Sequence, residues 1–311
     1  MLLTVVHGPV TYCTRQPTGL KSVAVKRVNV VTDSTSCLPD ELVKDNGICV
    51  VPLTIVHQGQ SYRDGVDISP NEVYRIMRKR QDLPTTSTPS AGDFLDAFQR
   101  LSEDAESILC ITVTSKQSKI YETALLAREM AREQLPDTAV EVLDSRAASS
   151  AMGLIAVEAA RAASSGADLT RTLDAARSMI PRVRYLAMVD TLYYLARTGR
   201  IGKAAAWTGS VLNIKPIVGH DTSVGVTTPV ARPRTRVKAV KLLLELMGEM
   251  AGDSPLHVIV NHADELEEGR KLQAEIASRF NCAEIYLAEF APSMGIHAGP
   301  GVLGAAFYSD E

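Results

Sequence analysis

Short apolar runs alternate with amphipathic stretches along the first half of the chain, from Val28 onward. Between the runs, apolar positions recur at the spacing of a helix face. Alternation of this kind is typical of an α/β domain built on an open, mostly parallel sheet with helices on both faces. The runs that predict strands are VNVV at 28–31, CVVPLTI at 49–55, ILCITV at 108–113 and VEVL at 140–143.

Two helix starts are marked by their own side chains. Ser69-Pro70-Asn71-Glu72 places a hydroxyl at the N-cap, a proline at the first helical position and a glutamate that can bond back to the cap. Ser90-Ala91-Gly92-Asp93 repeats this capping arrangement immediately before Phe94. The pattern therefore predicts that helices begin at about residues 70 and 91.

The second half predicts another α/β domain. Its elements are alanine-rich helices over 147–180, a strand at 185–189, two strand-like runs within 214–232, a helix at 235–250, a strand at 256–260, a helix at 264–279 and a last strand at 284–289. Gly166 and its small neighbours mark the predicted seam, so the domains are 28–165 and 166–311. Residues 1–27 lack periodicity and are expected to form an extension outside the fold.

Composition excludes several classes of function. A net charge of −3 leaves no basic surplus, so nucleic acid is not an expected partner. No apolar run approaches the roughly 20 residues that span a bilayer, and no signal-peptide pattern is present, so a cytoplasmic location is expected. The five cysteines and six histidines show no CxxC or HExxH spacing, and we predict neither a metal nor another cofactor.

One stretch raises the possibility of catalysis. Ala291-Pro292-Ser293-Met294-Gly295 approximates a nucleophile elbow, and His297 follows it closely. A serine hydrolase acting on acyl esters through Ser293 or Ser115 is therefore an alternative. The first glycine of the elbow is missing and the histidine follows too soon, which argues against that alternative.

Two hydroxyl-rich segments are the main candidates for a binding site. PTTSTPS spans 84–90, and Thr114-Ser115-Lys116-Gln117-Ser118 follows the strand at 108–113. Ligands of open α/β sheets settle beyond the carboxyl ends of the strands, where two such loops can hold a carboxylate or a phosphate. Helix capping explains Ser90, and it is the simplest account of Ser115 or Ser118 taken singly.

Seven segments in a fixed order make the chain resemble the DegV family of bacterial fatty-acid-binding proteins, from Val28 to about Tyr308. The segments are VVTDSTSCLP at 30–39, VVPLTI at 50–55, YRDGVDIS at 62–69, PTTSTPS at 84–90, TSKQSKIYETA at 114–124, RTGRIGK at 197–203 and HAGPGVLG at 297–304. The resemblance implies a two-domain α/β protein that encloses one long-chain fatty acid between or within its domains.

The resemblance also implies a role without chemistry of its own. A separate ATP-dependent fatty acid kinase, similar to dihydroxyacetone kinases, would phosphorylate the bound carboxylate to an acyl phosphate for phospholipid metabolism. Transient membrane contact would serve lipid exchange. A fatty-acid-sensing regulatory protein is a further alternative.

Carried over residue by residue, the resemblance assigns the fatty acid site. Thr86, with its neighbour Thr85, and Ser115 would contact the carboxylate, and His297 would lie near the head group. Ser118 belongs to the same site, although Gln117-Ser118-Lys119 stands where the family usually has Leu-Ser-Gly. Arg200 would lie at the mouth, where the kinase docks.

Overall fold

The computed structural model describes residues 26–79, 81–207 and 214–310. The predicted extension over residues 1–27 lies outside this part of the chain except for its last two residues. The first half contains, in chain order, β1 (Lys26–Asp33), α1 (Asp40–Asp45), β2 (Cys49–Val51), β3 (Thr54–His57), β4 (Gln60–Arg63), α2 (Pro70–Arg78), β5 (Thr85–Ser87), α3 (Ala91–Ser102), β6 (Ala105–Thr112), α4 (Ile120–Gln134), β7 (Ala139–Asp144) and α5 (Ser150–Ser164).

The second half continues with helices and the strands of another sheet. It contains α6 (Leu169–Met179), β8 (Arg184–Met188), α7 (Tyr193–Arg197), β9 (Ile217–Asp221), β10 (Val226–Ala231), α8 (Arg236–Ala251), β11 (Leu256–His262), α9 (Leu266–Arg279), β12 (Cys282–Glu289), α10 (Pro292–Ala298) and β13 (Leu303–Ser309). Two 3₁₀ turns lie at Ser34–Ser36 and Gly202–Trp207. No described helix has the length and apolar character needed to cross a membrane.

The first sheet has the strand order β2-β1-β6-β7, and all its pairs are parallel. Helices cover both faces, which is why β6 is buried along nearly its whole length. The expected α/β fold is confirmed. Both predicted capping boxes are present, with the hydroxyls of Ser69 and Ser90 accepting from the backbone of Glu72 and Asp93.

A three-stranded antiparallel sheet, ordered β4-β3-β5, stands apart from the first sheet. The run CVVPLTI, predicted as one strand, contributes to both sheets, because Pro52 lacks the N–H that a continuous ladder requires. Part of the hydroxyl segment at 84–90 is itself a strand, β5, and Thr86 pairs with Ile55 of β3.

The second large sheet has the order β10-β9-β8-β13-β11-β12. Strand β13 lies antiparallel between β8 and β11, yet the sequence pattern predicted no strand after residue 289. Its residues Leu303–Tyr308 are all buried, so they show no polar alternation. Gly304 is required there, because a Cβ would lie 2.7 Å from the carbonyl oxygen of Leu186.

Helix α5 lies between the two large sheets. It is apolar on nearly every side, which is typical of a helix with no solvent face, and it contacts both β1 and β13. A Cβ at Gly153 would come within 2.8 Å of Leu38 and of the Ser36 carbonyl oxygen. The next helix, α6, follows the predicted seam at Gly166 and packs on the first sheet through Ala176 and Met179.

The carboxylate of Asp64 connects three parts of the fold. Ser34, after β1, donates from Oγ to Oδ2 of Asp64 at 2.6 Å. Ser293, in α10, donates from its backbone N–H to Oδ1 at 2.9 Å and from its hydroxyl to Oδ2. Asp64 itself follows β4 and is fully buried, and burial raises its pKa. Each donor would be left unpaired in the interior without this carboxylate.

We expect Asp64→Ala to lower the free energy of unfolding by about 3 kcal/mol or more, because three buried donors lose their acceptor. Urea unfolding followed by circular dichroism measures this change. Asp67→Ala is the matched control, since Asp67 pairs with Arg63 at the surface and its loss should cost about 1 kcal/mol or less. Equal losses in the two variants would contradict the role given to Asp64.

Candidate functional site

A cavity of about 180 Å³ lies where the two large sheets and the three-stranded sheet meet. Its walls come from the loops after β1, β6 and β7, from β5, from the inner face of β8 and β9, and from α10. The carboxyl ends of the parallel strands thus open into it, as in other open α/β sheets. It is therefore the candidate binding site.

Most of the wall is apolar. Ala187 in β8 and Val189 just after it both line the cavity and are two residues apart, as expected for one face of an extended segment. Other apolar contributions are Leu53, Val113, Ala148, Leu195, Val218, Phe290, Met294 and Val302. The sequence analysis did not identify these residues. A strand that is buried on both faces shows no polar alternation, so its sequence does not indicate which face borders a cavity.

Thr86 and His297 form the central polar pair. Oγ1 of Thr86 lies 3.0 Å from Nε2 of His297, and both side chains line the cavity. The pair joins β5 to α10 across 211 positions of the sequence. Thr85 precedes Thr86 in the same strand, but it is exposed and does not line the cavity.

His297 is a neutral imidazole. Burial lowers the pKa of His297 to about 3, with a further contribution from the positive charges of Arg200 and Arg197. A neutral ring donates from one nitrogen and accepts at the other. Nδ1 is buried and has no hydrogen-bond partner in the part of the chain that the structure describes. The ring therefore has one nitrogen uncommitted among the described residues, and His297 as a residue lines the cavity.

The structure separates the two serines of the loop after β6. Ser118 lines the cavity, whereas Ser115 does not. The Ser115 hydroxyl donates to Oδ2 of Asp144 at 2.6 Å and its backbone N–H to Oδ1 at 3.3 Å, so it closes the loop against β7. The structure brings Ser118, not Ser115, to the cavity that Thr86 lines.

The same loop is fixed to the second sheet. Thr114 donates from Oγ1 to the carbonyl oxygen of Gly225 at 2.9 Å, and the side-chain amide of Gln117 donates to Oγ1 of Thr227 at 2.7 Å. Gly225 has a positive φ, and a Cβ there would lie 2.4 Å from Oγ1 of Thr114. These contacts hold Ser118 in place without using its own hydroxyl.

Arg200 is half-buried and lines the cavity rather than standing on an open turn. Its Nε donates to the carbonyl oxygen of Gln117 at 3.1 Å, and Nη1 donates to that of Thr198. Burial lowers the pKa of Arg200, and its two hydrogen bonds within the described part of the chain go to carbonyl oxygens rather than to a carboxylate. The structure therefore places a guanidinium at the polar part of the cavity.

Ser293 is not arranged as a nucleophile. It is fully buried, and both its hydroxyl and its N–H donate to Asp64, whereas Nε2 of His297 bonds Thr86. Ser115 is likewise paired with Asp144. Neither serine that the hydrolase alternative required is paired with His297. Among the described residues, no group of His, Cys, Asp and Glu side chains is arranged to hold a metal ion.

Residues 27–310 match the family model described as an uncharacterised protein of the DegV family. A DegV domain-containing protein from Caldanaerobacter subterraneus subsp. tengcongensis is 32% identical over 91% of this chain and 99% of its own length. The chain belongs to the DegV family.

Solved DegV structures share the fold. A fatty-acid-binding DegV family protein from Thermus thermophilus superposes with a TM-score of 0.83 at 32% identity, over 91% of this chain and 100% of that one. DegV of Bacillus subtilis, a fatty acid binding protein, gives a TM-score of 0.82 at 30% identity, over 92% and 100%. The two-domain DegV-like architecture predicted from the sequence is confirmed.

We expect His297→Gln to flatten the dependence of stability on pH. Between about pH 3 and pH 6.5 the unfolded state binds a proton at His297 that the folded state does not, so stability rises with pH through this window. Glutamine does not titrate, so the variant lacks the contribution of His297 to this slope, which is about 1.4 kcal/mol per pH unit at most. Urea unfolding at several pH values within the window measures the slope. Parallel curves for the variant and the wild type would contradict a neutral, buried His297.

Proposed function

We propose that this DegV family chain is a cytoplasmic carrier that binds one long-chain fatty acid, with the tail in the apolar part of the cavity and the carboxylate beside Thr86, Ser118 and His297. The observation that carries the proposal is the charge of the wall. Among the described residues, the cavity lining contains Arg200 and Lys119 but no aspartate or glutamate. An apolar cavity whose charged side chains are all cationic suits a ligand with one anionic end.

The hydroxyls supply the donors that a carboxylate needs when it leaves water. When Nε2 of His297 carries the proton, it donates to Oγ1 of Thr86, and the Thr86 O–H remains free to donate to the ligand. Ser118 offers a second hydroxyl from the opposite loop, and Arg200 supplies positive charge. Hydrogen bonds to a charged group are stronger than those between neutral groups, so these contacts offset the desolvation of the carboxylate.

A carrier must also leave the carboxylate oxygen reactive. Hydroxyl donors hold an oxygen less tightly than a bidentate arginine, and the two recorded donations of Arg200 go to backbone carbonyl oxygens. We propose that a separate ATP-dependent fatty acid kinase phosphorylates the bound carboxylate to an acyl phosphate, and that the chain has no catalysis of its own. The pairing of Ser293 and Ser115 with aspartates supports this assignment.

Lipid exchange through transient contact with a membrane surface belongs to the same proposal. Tyr193 is 55% exposed and lies two residues from Leu195, which lines the cavity. Tyrosine combines an apolar ring with a polar tip and suits a boundary between lipid and water.

We expect Thr86→Val and Ser118→Ala each to weaken fatty acid binding by more than about tenfold, since each removes a donor to a charged group. Their effects should be non-additive, because both hydroxyls serve one carboxylate. Affinity is measured by displacement of a fluorescent fatty acid, and circular dichroism confirms folding.

The neighbouring residues provide matched controls. Thr85→Val and Ser115→Ala remove hydroxyls from the same strand and the same loop, but neither residue lines the cavity. Thr85→Val should keep an affinity close to that of the wild type. Ser115→Ala should lose less affinity than Ser118→Ala, because the backbone N–H of Ser115 still bonds Asp144 and the side chains of Thr114 and Gln117 still fix the loop. Full additivity of Thr86→Val and Ser118→Ala, or equal losses in the controls, would overturn the proposed carboxylate site.

The kinase step is tested with the fatty acid kinase of the same organism. In the presence of ATP, the loaded wild type should yield an acyl phosphate, trapped as its hydroxamate, and the kinase without this chain should yield little. Arg200→Ala should lower this rate by about tenfold at equal fatty acid occupancy, as expected for a charged contact at the point of transfer. An unchanged rate would show that Arg200 does not contribute to phosphoryl transfer. Acyl phosphate formed without the kinase would contradict a non-catalytic carrier.

A further inference from the structure

Helix α5 is joined to the second large sheet by charged side chains that lie away from the cavity. Nη1 and Nη2 of Arg161 donate to the two carboxylate oxygens of Glu284 in β12, both at 2.7 Å. The hydroxyl of Tyr308, in β13, donates to Oε1 of Glu158 at 2.7 Å. The cluster to which these contacts belong, the α5 clamp, consists of Glu158, Arg161, His257, Glu284, Tyr308 and Asp310.

His257 is the centre of the α5 clamp. Its Nδ1 lies 2.7 Å from Oε1 of Glu284, and its Nε2 lies 3.1 Å from Oδ1 of Asp310. Burial alone would raise the pKa of Glu284, but the hydrogen bonds from His257 and Arg161 lower it to about 2. An ionised carboxylate only accepts hydrogen bonds, so both ring nitrogens must carry a proton to bond both partners. The geometry is therefore that of an imidazolium.

The charged and titratable groups packed around His257 favour its protonated form. They are Glu158 and Arg161 of α5, Glu284 and the Tyr286 hydroxyl of β12, Tyr308 of β13, Asp310 after it, and Arg182 before β8. Among these described groups, three carboxylates face two guanidiniums, so a protonated imidazole balances the charge. The hydrogen bond to Glu284 raises the pKa of His257 above 6.5, against the opposing effect of partial burial.

Loss of this proton would weaken the contacts of the α5 clamp. A neutral ring donates from one nitrogen only, so one of the two carboxylates would face a lone pair. Glu284 is also the partner of Arg161. Tyr308, on which the ring stacks with the centroids 4.5 Å apart, is the partner of Glu158. Both connections from His257 lead to α5, so the protonation state of the ring affects how firmly α5 docks on the second sheet.

The cavity and the α5 clamp lie at opposite ends of one interface, in which α5 contacts β8, β11 and β13. Ser149, at the N-cap of α5, lines the cavity, and Arg161 lies about 18 Å further along the helix. Val302 lines the cavity just before β13, and Tyr308 lies about 20 Å further along that strand. A ligand in the cavity and a proton on His257 therefore act on the same packing of α5 against the sheet.

We infer that His257 is a pH sensor that controls how tightly the chain holds its fatty acid, through the docking of α5 on the second sheet. The inference rests on the proposed function and adds its regulation. An imidazolium and a filled cavity both favour the docked arrangement, so each strengthens the other. The ring loses its proton as the pH rises through its raised pKa, so binding is tighter below that pH than above it.

The test measures the affinity for hexadecanoic acid at about pH 6.5 and about pH 9, by displacement of a fluorescent fatty acid. The ratio of the two affinities should be about fivefold larger in the wild type than in His257→Gln, a size typical of coupling between two sites. Other titrating groups are common to both proteins, and glutamine does not titrate. Nuclear magnetic resonance should also show that bound hexadecanoic acid raises the pKa of His257, because coupling of this kind is reciprocal.

Two further variants complete the test. Asp310→Asn changes a side chain that is 50% exposed, so it should fold, and it should lower both the pKa of His257 and the pH dependence of binding. His57→Gln is the matched control, since His57 lies in β3, outside the α5 clamp and the cavity lining, and it should behave as the wild type.

Equal affinity ratios in the wild type and His257→Gln would overturn the inference. A pKa of His257 that hexadecanoic acid leaves unchanged would overturn it equally. A wild type that binds no hexadecanoic acid at either pH would instead refute the proposed function.

Discussion

The buried carboxylate of Asp64 is the contact on which the site depends. It accepts hydrogen bonds from Ser34, which follows the first strand, and from Ser293, in the first turn of α10. Because His297 is in the same short helix, fixing Ser293 also fixes the ring that faces Thr86. Gly295 lets this helix pack against α2, since a Cβ there would lie 2.7 Å from the Tyr74 ring. One buried acceptor therefore aligns three separate segments around the cavity.

The charge of the cavity wall depends on three nearby aspartates that form hydrogen bonds elsewhere in the fold. Asp64 and Asp33 hold backbone and hydroxyl donors in the interior, and Asp144 closes the loop that carries Ser118. None of the three lines the cavity. The polar side chains in the described part of the wall are hydroxyls, neutral imidazoles, the amide of Gln117, Arg200 and Lys119. Such a wall favours an anionic head group and an apolar tail, and it places no carboxylate where it would repel that head group.

Much of the fold was predictable from local chemistry. The capping serines at 69 and 90, the buried parallel strands and the alternation of strands and helices each leave a signal within a few consecutive residues. The misses had physical reasons as well. Residues Leu303–Tyr308 of β13 are all buried, so the strand shows no alternation, and Pro52 divides a continuous apolar run between two sheets.

The sequence by itself determined the fold class, the hydroxyl-rich segments and the family resemblance, because each depends on residues close together in the chain or on their order. Only the tertiary structure decided which hydroxyls face the cavity. Thr85 and Thr86 are adjacent in β5, yet only Thr86 lines the cavity. Ser115 and Ser118 share one loop, in which Asp144 engages the first. Those choices depend on pairing with Ile55 and Asp144, which are far away in sequence. Side chains of the same type acquire different roles through such long-range contacts, and these contacts cannot be read from the composition or from a short stretch of sequence.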